Sequence, residues 1–255
     1  MKIAILQSGY LPWLGFFDLM ARADVFVYLD DVQWTTRDWR SRNRIRIPLG
    51  WTWLSVPVKL ERPHFEYKIC EVNIDYSQDW PQRHLRAIQS AYSRARYFAD
   101  IFSRIERHLT RRYIYINELN YALIQDFRAY MGIHTTIKYA QDLNISSDKT
   151  KSDRLLAIVQ AVPGAKAYLA GNLSKDYLNL AQFEKQGIQV EWQEYQHPFY
   201  LQNTWRSSTF ISYLSVVDLL FHHGPESLDI ILGKKQVPKH DGINVCTADN
   251  FKKSS

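Results

Sequence analysis

The sequence predicts an α/β fold, a mostly parallel sheet flanked by helices, and two stretches carry that expectation. The opening segment Lys2–Gln33 reads strand, turn, helix, strand. Apolar Ile3–Leu6 breaks at Gln7-Ser8-Gly9, a helix follows over Leu14–Ala23, and the apolar run Val25–Leu29 ends in Asp30-Asp31. Both runs are continuously apolar rather than alternating, as in parallel strands buried on both faces. The pattern returns late in the chain. Ala167–Ala170 reads as strand, Gly171-Asn172 as turn, Ser174 as the cap of a helix reaching Gly187, and Ile188–Trp192 as the next strand. Two independent crossover units point to an α/β domain. In open sheets of this class, ligands sit beyond the carboxyl ends of the strands.

Between the two units the pattern changes. In Trp34–Ile47, Arg40, Arg42, Arg44 and Arg46 recur at every second position and share one face if the segment is extended. Pro48-Leu49-Gly50 makes a turn, and Trp51–Lys59 reads as the second strand of a hairpin, with Pro57 marking an edge or bulge. Tyr67–Ile74 alternates and reads as a third strand. Residues 34–75 therefore form a small β insertion. A helical middle spans 77–132. Ser77–Tyr92 opens with Ser77, Asp79 and Pro81 as start signals, and Ala99–Arg112 follows. Asn117–Met131 places Leu123, Ile124, Phe127, Tyr130 and Met131 on one stripe before Gly132. Thr135–Lys138 reads as a strand, Asp142–Lys151 as a loop, and Ser152–Val162 as a helix with Leu155, Ile158, Val159 and Val162 buried. After the second crossover come a loop over Gln196–Ser208, an apolar helix over Ser212–His223 and a short helix over Glu226–Leu232. Residues 1–232 are expected to form one α/β domain, and 233–255 a loosely held polar tail.

A chain of 255 residues that is 46% hydrophobic can bury a sizeable core. No window approaches the ~18 consecutive apolar residues of a membrane span. The N-terminus enters a strand directly, unlike a signal peptide. Cys70 and Cys246 are too few for a disulfide framework and read as reduced thiols. A cytoplasmic location with no membrane partner is expected. The net charge of +6 is unevenly spread, with one arginine cluster at 37–46 and a second at Arg104, Arg107, His108, Arg111 and Arg112. Such clusters attract anions. Eight Trp and sixteen Tyr suit sugars, nucleotides or single strands, and equally fill cores.

Asp30-Asp31 is the sharpest candidate site. Adjacent carboxylates at a strand end can hold Mg²⁺, or one can act as general base while the other orients it. Neighbours on a strand point oppositely, so the alternative is a helix cap or a partner for nearby arginines. Gln7, Ser8 and Gly9 precede a helix, where free N–H groups and the dipole suit an anion, although neither a GxGxxG nor a GxxxxGK[ST] pattern is present. Gly171-Asn172-Leu173-Ser174-Lys175 repeats the arrangement, with Lys175 in reach of an anion. Among the arginines, Arg42-Asn43 is the preferred binding pair. The others read as a charged, solvated strand edge. The eight histidines form no metal constellation in sequence, so no metal ligands are assigned. His84 reads as a core residue or a base, and His197 as an open loop histidine or a proton carrier.

Several motifs together resemble the WbqC-like family. They are QSGYLPWLGFF, DDVQWTTRDWRSRNRI, WLSVPVK, Trp80–Tyr92, YLAGNLSKDYL, GIQVEWQEYQHPFYLQ and LSVVDLLFHHG. The match runs in order from Lys2 to about Gly224. Its pattern falls on Gln7, Pro12, Trp13, Gly15, Asp30, Asp31, Gln33, Arg42, Asn43, His84, Gly171, Lys175, Asp176, His197, Tyr200, Gln202, Ser215 and Asp218. Ser8 and His222-His223 depart from it. The resemblance implies a role in cell-surface polysaccharide (O-antigen) or secondary-metabolite biosynthesis, as a transferase of acyl or aminoacyl groups onto a nucleotide-linked sugar or similar anionic acceptor. It implies Asp30, Asp31, His84 and His197 as catalytic groups. Gln7, Trp13, Gln33, Arg42, Asn43, Gly171, Lys175, Tyr200 and Gln202 are then substrate contacts, joined by Ser8 and Gly9 from the turn after the first strand. ATP or another nucleotide with Mg²⁺ is the candidate cofactor, and the partner is a small molecule.

A fainter similarity is to nucleotidylyltransferase-like α/β folds. Their HxGH motif would fall on Trp13-Leu14-Gly15-Phe16, with both histidines replaced by aromatics. Two other classes stand beside the transferase: a non-catalytic nucleotide- or glycan-binding accessory subunit, and a nucleic-acid binder resting on the arginine strand. Acidic residues at the strand ends argue against the last.

Overall fold

The computed structural model describes residues 1–48, 50–146, 149, 151–202, 209–236 and, by backbone alone, 244–246. β1 (Lys2–Leu6), α1 (Leu14–Ala21) and β2 (Val25–Tyr28) form the opening crossover, with β1 and β2 parallel and Ile3 opposite Val25. Side chains alternate across a strand, so each apolar run feeds two cores. Ile3, Ile5, Val25 and Val27 lie in one, and Ala4, Phe26 and Tyr28 in the other. Each fully buried side chain of this size contributes about 1.5–3 kcal/mol. A slip of one residue would set Phe26 and Tyr28 where Val25 and Val27 fit, so the register is specified.

The chain then leaves the sheet. β3 (Arg42–Ile47) and β4 (Gly50–Ser55) pair antiparallel, with Arg42 opposite Ser55. The strand expected over Trp51–Lys59 is divided at Pro57, because proline has no N–H for a ladder. Only β5 (Val58–Lys59) resumes it, paired with β6 (Asn73–Ile74). The third strand expected over Tyr67–Ile74 is mostly a 3₁₀ turn, Ile69–Glu71, where the Glu71 carboxylate accepts the Lys68 N–H at 3.0 Å.

α2 (Trp80–Tyr92), α3 (Phe98–Thr110) and α4 (Ile116–Tyr130) make the helical middle. Each buries one stripe: Leu85, Ile88 and Tyr92; Ile101, Ile105 and Leu109; Leu119, Leu123, Ile124 and Phe127. Gly132, at φ +75°, lies just past α4. β7 (Thr136–Tyr139) then joins the sheet beside β2. α5 (Lys151–Gln160) crosses to β8 (Ala167–Ala170) on the far side of β1, and α6 (Leu180–Lys185) leads to β9 (Gln189–Trp192). The helix expected from Ser174 is shorter than that. Asn172–Asp176 is a 3₁₀ turn, and Asn179 caps α6 by accepting the Gln182 N–H.

The five-stranded sheet has the order β7-β2-β1-β8-β9 and is parallel at every pairing. α5 and α6 cover the face of Ile3 and Ile5 through Leu155, Ile158, Val159 and Phe183, and α1 and α4 cover the other. β10 (Thr209–Ile211), α7 (Val216–His223) and α8 (Ser227–Ile231) follow. α7 starts later than expected because Tyr213 takes φ +58° and Ser215 caps Val217. Within the stretch expected to be a loose tail, β11 (Asn244–Cys246) pairs in parallel with β10. The rest of that tail beyond 236, and residues 203–208 of the expected loop, lie outside the described residues. Among the described residues no helix is long and apolar enough to cross a membrane. Cys70 is a free thiol.

Candidate functional site

Along the carboxyl edge the strands present Tyr139 and Gln141, Asp30-Asp31, Gln7-Ser8, Gly171–Lys175, and Trp192, in that spatial order. The chain builds outward from β1 through β2 to β7, then returns to the other side of β1 for β8 and β9. The order therefore reverses between β1 and β8, the position where open α/β sheets bind ligands. Gln7, half-buried, and Gly171 flank this crevice. Lys175 is exposed there, with Nζ 5.3 Å from the Trp192 ring centre.

Asp30 and Asp31 continue the strand alternation and diverge. Asp30 is 1% exposed, on the α4 side; its Oδ1 accepts the Ser8 N–H at 2.8 Å, and its carbonyl accepts the Cys70 N–H. Burial pushes its carboxyl above the usual range, opposed by Ser8, Tyr121 and Arg40, which favour the charged form. Asp31 turns to the α5 side and pairs with Arg154. Two carboxylates on opposite faces do not share one Mg²⁺. Among the described residues no three of His, Cys, Asp and Glu converge on a metal position, so no step is assigned to one.

The loop after β1 is less open to an anion than its sequence suggests. The Ser8 N–H is taken by Asp30 and the Tyr10 N–H by the Trp39 carbonyl. Gly9 lies so close to the Trp39 carbonyl that a Cβ would sit 3.2 Å from it. The Trp13 ring lies over Gly15, where an added Cβ would fall 2.2 Å from Cη2. That indole packs edge-on to Tyr195 and against Tyr213. Where a nucleotidylyltransferase-like loop would open a helix start to phosphate, an aromatic lid covers it.

The arginine strand is not a solvated edge. Arg42 stacks on Trp53 at 4.3 Å, and Arg44 lies among Trp39, Trp51 and Trp53 and donates to the Tyr213 carbonyl. Arg46 is 1% exposed and donates to Gln202 Oε1 at 3.1 Å. Arg44 and Arg46 are thus buried, whereas Arg40 and Arg42 are half-buried. Asn43 donates to the carbonyls of Leu11 and Tyr10 and accepts the Arg44 N–H. It thereby pins Leu11 at φ +45°. Tyr200 and Gln202 are buried too. Asp218, wholly buried, accepts from Tyr92 at 2.9 Å, Tyr200 at 2.8 Å and Gln202 at 2.9 Å. This network ties β3, α2 and α7 to the 200–202 segment. Gln33 is exposed and bridges Lys68 through its backbone.

Both candidate histidines are engaged by neighbouring groups. His84 is buried against Trp80 and accepts from or donates to Tyr10 at 2.9 Å, and burial lowers its pKa to about 4. His197 accepts the Tyr213 N–H at Nε2, and its Nδ1 lies 2.9 Å from the Pro198 carbonyl. That pattern fixes the Nδ1–H tautomer, and burial lowers this pKa to about 4 as well.

Beside Asp30, a cleft of about 470 Å³ opens at the ends of β2 and β7. It is lined by Cys70, Tyr115, Asn117, Glu118, Tyr121, Tyr139, Gln141 and Asp142. Sequence reasoning missed this cleft and missed Arg154, although each leaves a pattern. Arg154 lies one turn before Ile158 on the buried stripe of α5, where a charge needs a partner. Asn117 and Asn120 likewise extend the stripe of Leu123, Ile124 and Phe127 on α4. Asn120 uses the position to reach Ser8 Oγ and the Arg40 carbonyl.

Comparison with known proteins matches residues 7–230 to the model of the WbqC-like protein family. The chain is similar to the uncharacterized protein Rv1507c of Mycobacterium tuberculosis (strain ATCC 25618 / H37Rv). The two are 36% identical over 231 residues, which cover 90% of this chain and 97% of the relative. No solved structure matches the chain.

Proposed function

The chain belongs to the WbqC-like protein family, and we propose that it is a transferase of cell-surface polysaccharide (O-antigen) or related metabolite biosynthesis, acting on a nucleotide-linked sugar or similar anionic substrate. The observation that carries this reading is the reversal of strand order between β1 and β8, which brings Gln7 beside Gly171–Lys175. Lys175 supplies an exposed cation for a phosphate. Arg154, held by Asp31, adds a second cation on the α5 side. Asp30 is the proton acceptor in this reading, its carboxyl raised by burial above the usual range. Asp31 acts by positioning Arg154 rather than as the base.

A melting-temperature panel with ATP and Mg²⁺, acetyl-CoA, UDP- and dTDP-sugars and short oligonucleotides tests this reading. A ligand at 100 times its dissociation constant adds roughly 2.7 kcal/mol. A shift with a nucleotide or nucleotide sugar that disappears in Lys175→Ala supports the crevice. Loss of turnover in Asp30→Asn with ligand binding retained supports the base. One observation favours the accessory-subunit reading: the fixed histidines and the covered start of α1 leave few groups free for chemistry. Tight nucleotide-sugar binding with unchanged turnover of a partner enzyme in Asp30→Asn would favour it.

A further inference from the structure

We propose that the cleft beside β2 and β7 binds a small organic ammonium ion. The inference concerns a position distinct from the β1–β8 crevice, shares only Asp30 with the function proposed above, and does not rest on it. The chain carries a net charge of +6, yet the cleft is lined by two carboxylates, Asp142 and Glu118, whose Oε2 also accepts the Ile114 and Tyr115 N–H groups, and by no Lys, Arg or His. The cations that bear on this region are engaged. Arg40 pairs with Asp38, and Arg128 donates to Gln125 and to the Thr135 carbonyl, its charge still felt by Tyr139. Asp30 lies behind the wall formed by Tyr121 and Cys70 and adds negative potential.

The aromatic lining has the geometry such a cation needs. Tyr121 and Tyr139 meet with ring centres 5.1 Å apart and planes at 59°, a corner with two π surfaces. Tyr28 backs both, at 4.5 Å and 5.6 Å, and holds the corner in place. A cation over such rings is drawn to their negative faces. A second, independent observation comes from Asn117. It lines the cleft, is only 6% exposed, and its side chain bonds Tyr121 while its Oδ1 has no hydrogen-bond partner among the described residues. An unmet buried acceptor points to a ligand that brings a donor.

Other ligand classes fit less well. A phosphate would face carboxylates and π surfaces. A hard metal ion would need converging ligands, and no three of the required types converge among the described residues. The volume, about 470 Å³, suits a small molecule. Cys70, whose thiol is raised by burial and by neighbouring carboxylates, is a neutral wall group here.

The test is a calorimetric and ligand-observed NMR titration of the full chain with choline and with its neutral isostere 3,3-dimethylbutan-1-ol. Choline should saturate, and the isostere should bind at least about tenfold more weakly, since the two differ in charge. Asp142→Asn, at an exposed position, should weaken choline about fivefold. Tyr139→Leu should do the same, while Tyr139→Phe, which keeps the ring, should not. Equal binding of the isostere would overturn the proposal. So would no saturation at millimolar choline, or unchanged affinity in both Asp142→Asn and Tyr139→Leu. The nucleotide panel reads the other crevice, so failure of one inference leaves the other standing.

Discussion

Replacing Asp218 with alanine tests whether Tyr200 and Gln202 serve the fold or a ligand. Asp218 is completely buried and accepts three hydrogen bonds, from Tyr92, Tyr200 and Gln202. Gln202 passes the coupling on to Arg46, which is itself 1% exposed. Alanine would leave the Tyr92 and Tyr200 hydroxyls without this acceptor, Gln202 keeping the Ile211 carbonyl, and the guanidinium without its balancing charge. Each unmet buried donor costs about 1–3 kcal/mol, and breaking a buried charged cluster about 3–5 kcal/mol. These terms overlap, so about 4 kcal/mol is expected. For a chain of this size about 2–4 °C is lost per kcal/mol, giving a fall in Tm of about 8–16 °C. Scanning calorimetry would measure it against Glu61→Ala. Glu61 pairs with Lys59 at side-chain exposures of 75% and 64%, so its loss should cost under about 1 kcal/mol. An Asp218→Ala protein melting within 2 °C of the parent, by the same scale, would refute the structural role and return Tyr200 and Gln202 to the list of ligand contacts.

Three further outcomes follow from the same geometry. His84 and His197 have folded pKa values lowered to about 4, so the unfolded chain binds more protons below pH 6.5 and stability falls as pH drops from there toward 4. Each contributes up to about 3 kcal/mol; a Tm unchanged between pH 7 and pH 5 would contradict their burial. Gly15→Ala should push the Trp13 ring off the start of α1, red-shifting tryptophan emission and lowering stability by about 1–3 kcal/mol; unchanged emission would mean the loop absorbs the methyl. Asn43→Ala should cost about 2–3 kcal/mol, by freeing the Leu11 and Tyr10 carbonyls and the Arg44 N–H, with denaturant melts as the readout. A loss of ligand affinity without loss of stability would show instead that Asn43 contacts substrate.

The strands of the sheet and most helices were legible because their signals are local. A continuous apolar run such as Val25–Leu29 marks burial on both faces wherever the rest of the chain lies, and Gly132 stops α4 by its own backbone freedom. Departures came where a local signal met a local competitor. Pro57 divides its strand, and Asn179 outcompetes Ser174 as the cap of α6. The candidate site was legible as a place, the carboxyl ends of β1, β2 and β8. It was not legible as a set of roles. Asp30 and Asp31 are adjacent in sequence, but which faces Tyr121 and which faces Arg154 depends on two helices far downstream, the second 123 residues from Asp31.

By itself the sequence determined the α/β class, the two crossover units and the edge of the sheet where ligands belong, because periodicity and turn chemistry are properties of short segments. Only the tertiary structure decided what the polar residues do. Arginines at period two could line a wet edge or a dry one, and burial under Trp39, Trp51, Trp53 and Gln202 made it dry. The cleft beside Asp30 is assembled from the 3₁₀ turn at Cys70, from α4 and from the end of β7. A cavity is defined by which surfaces meet, and that long-range information is absent from any single stretch of the chain.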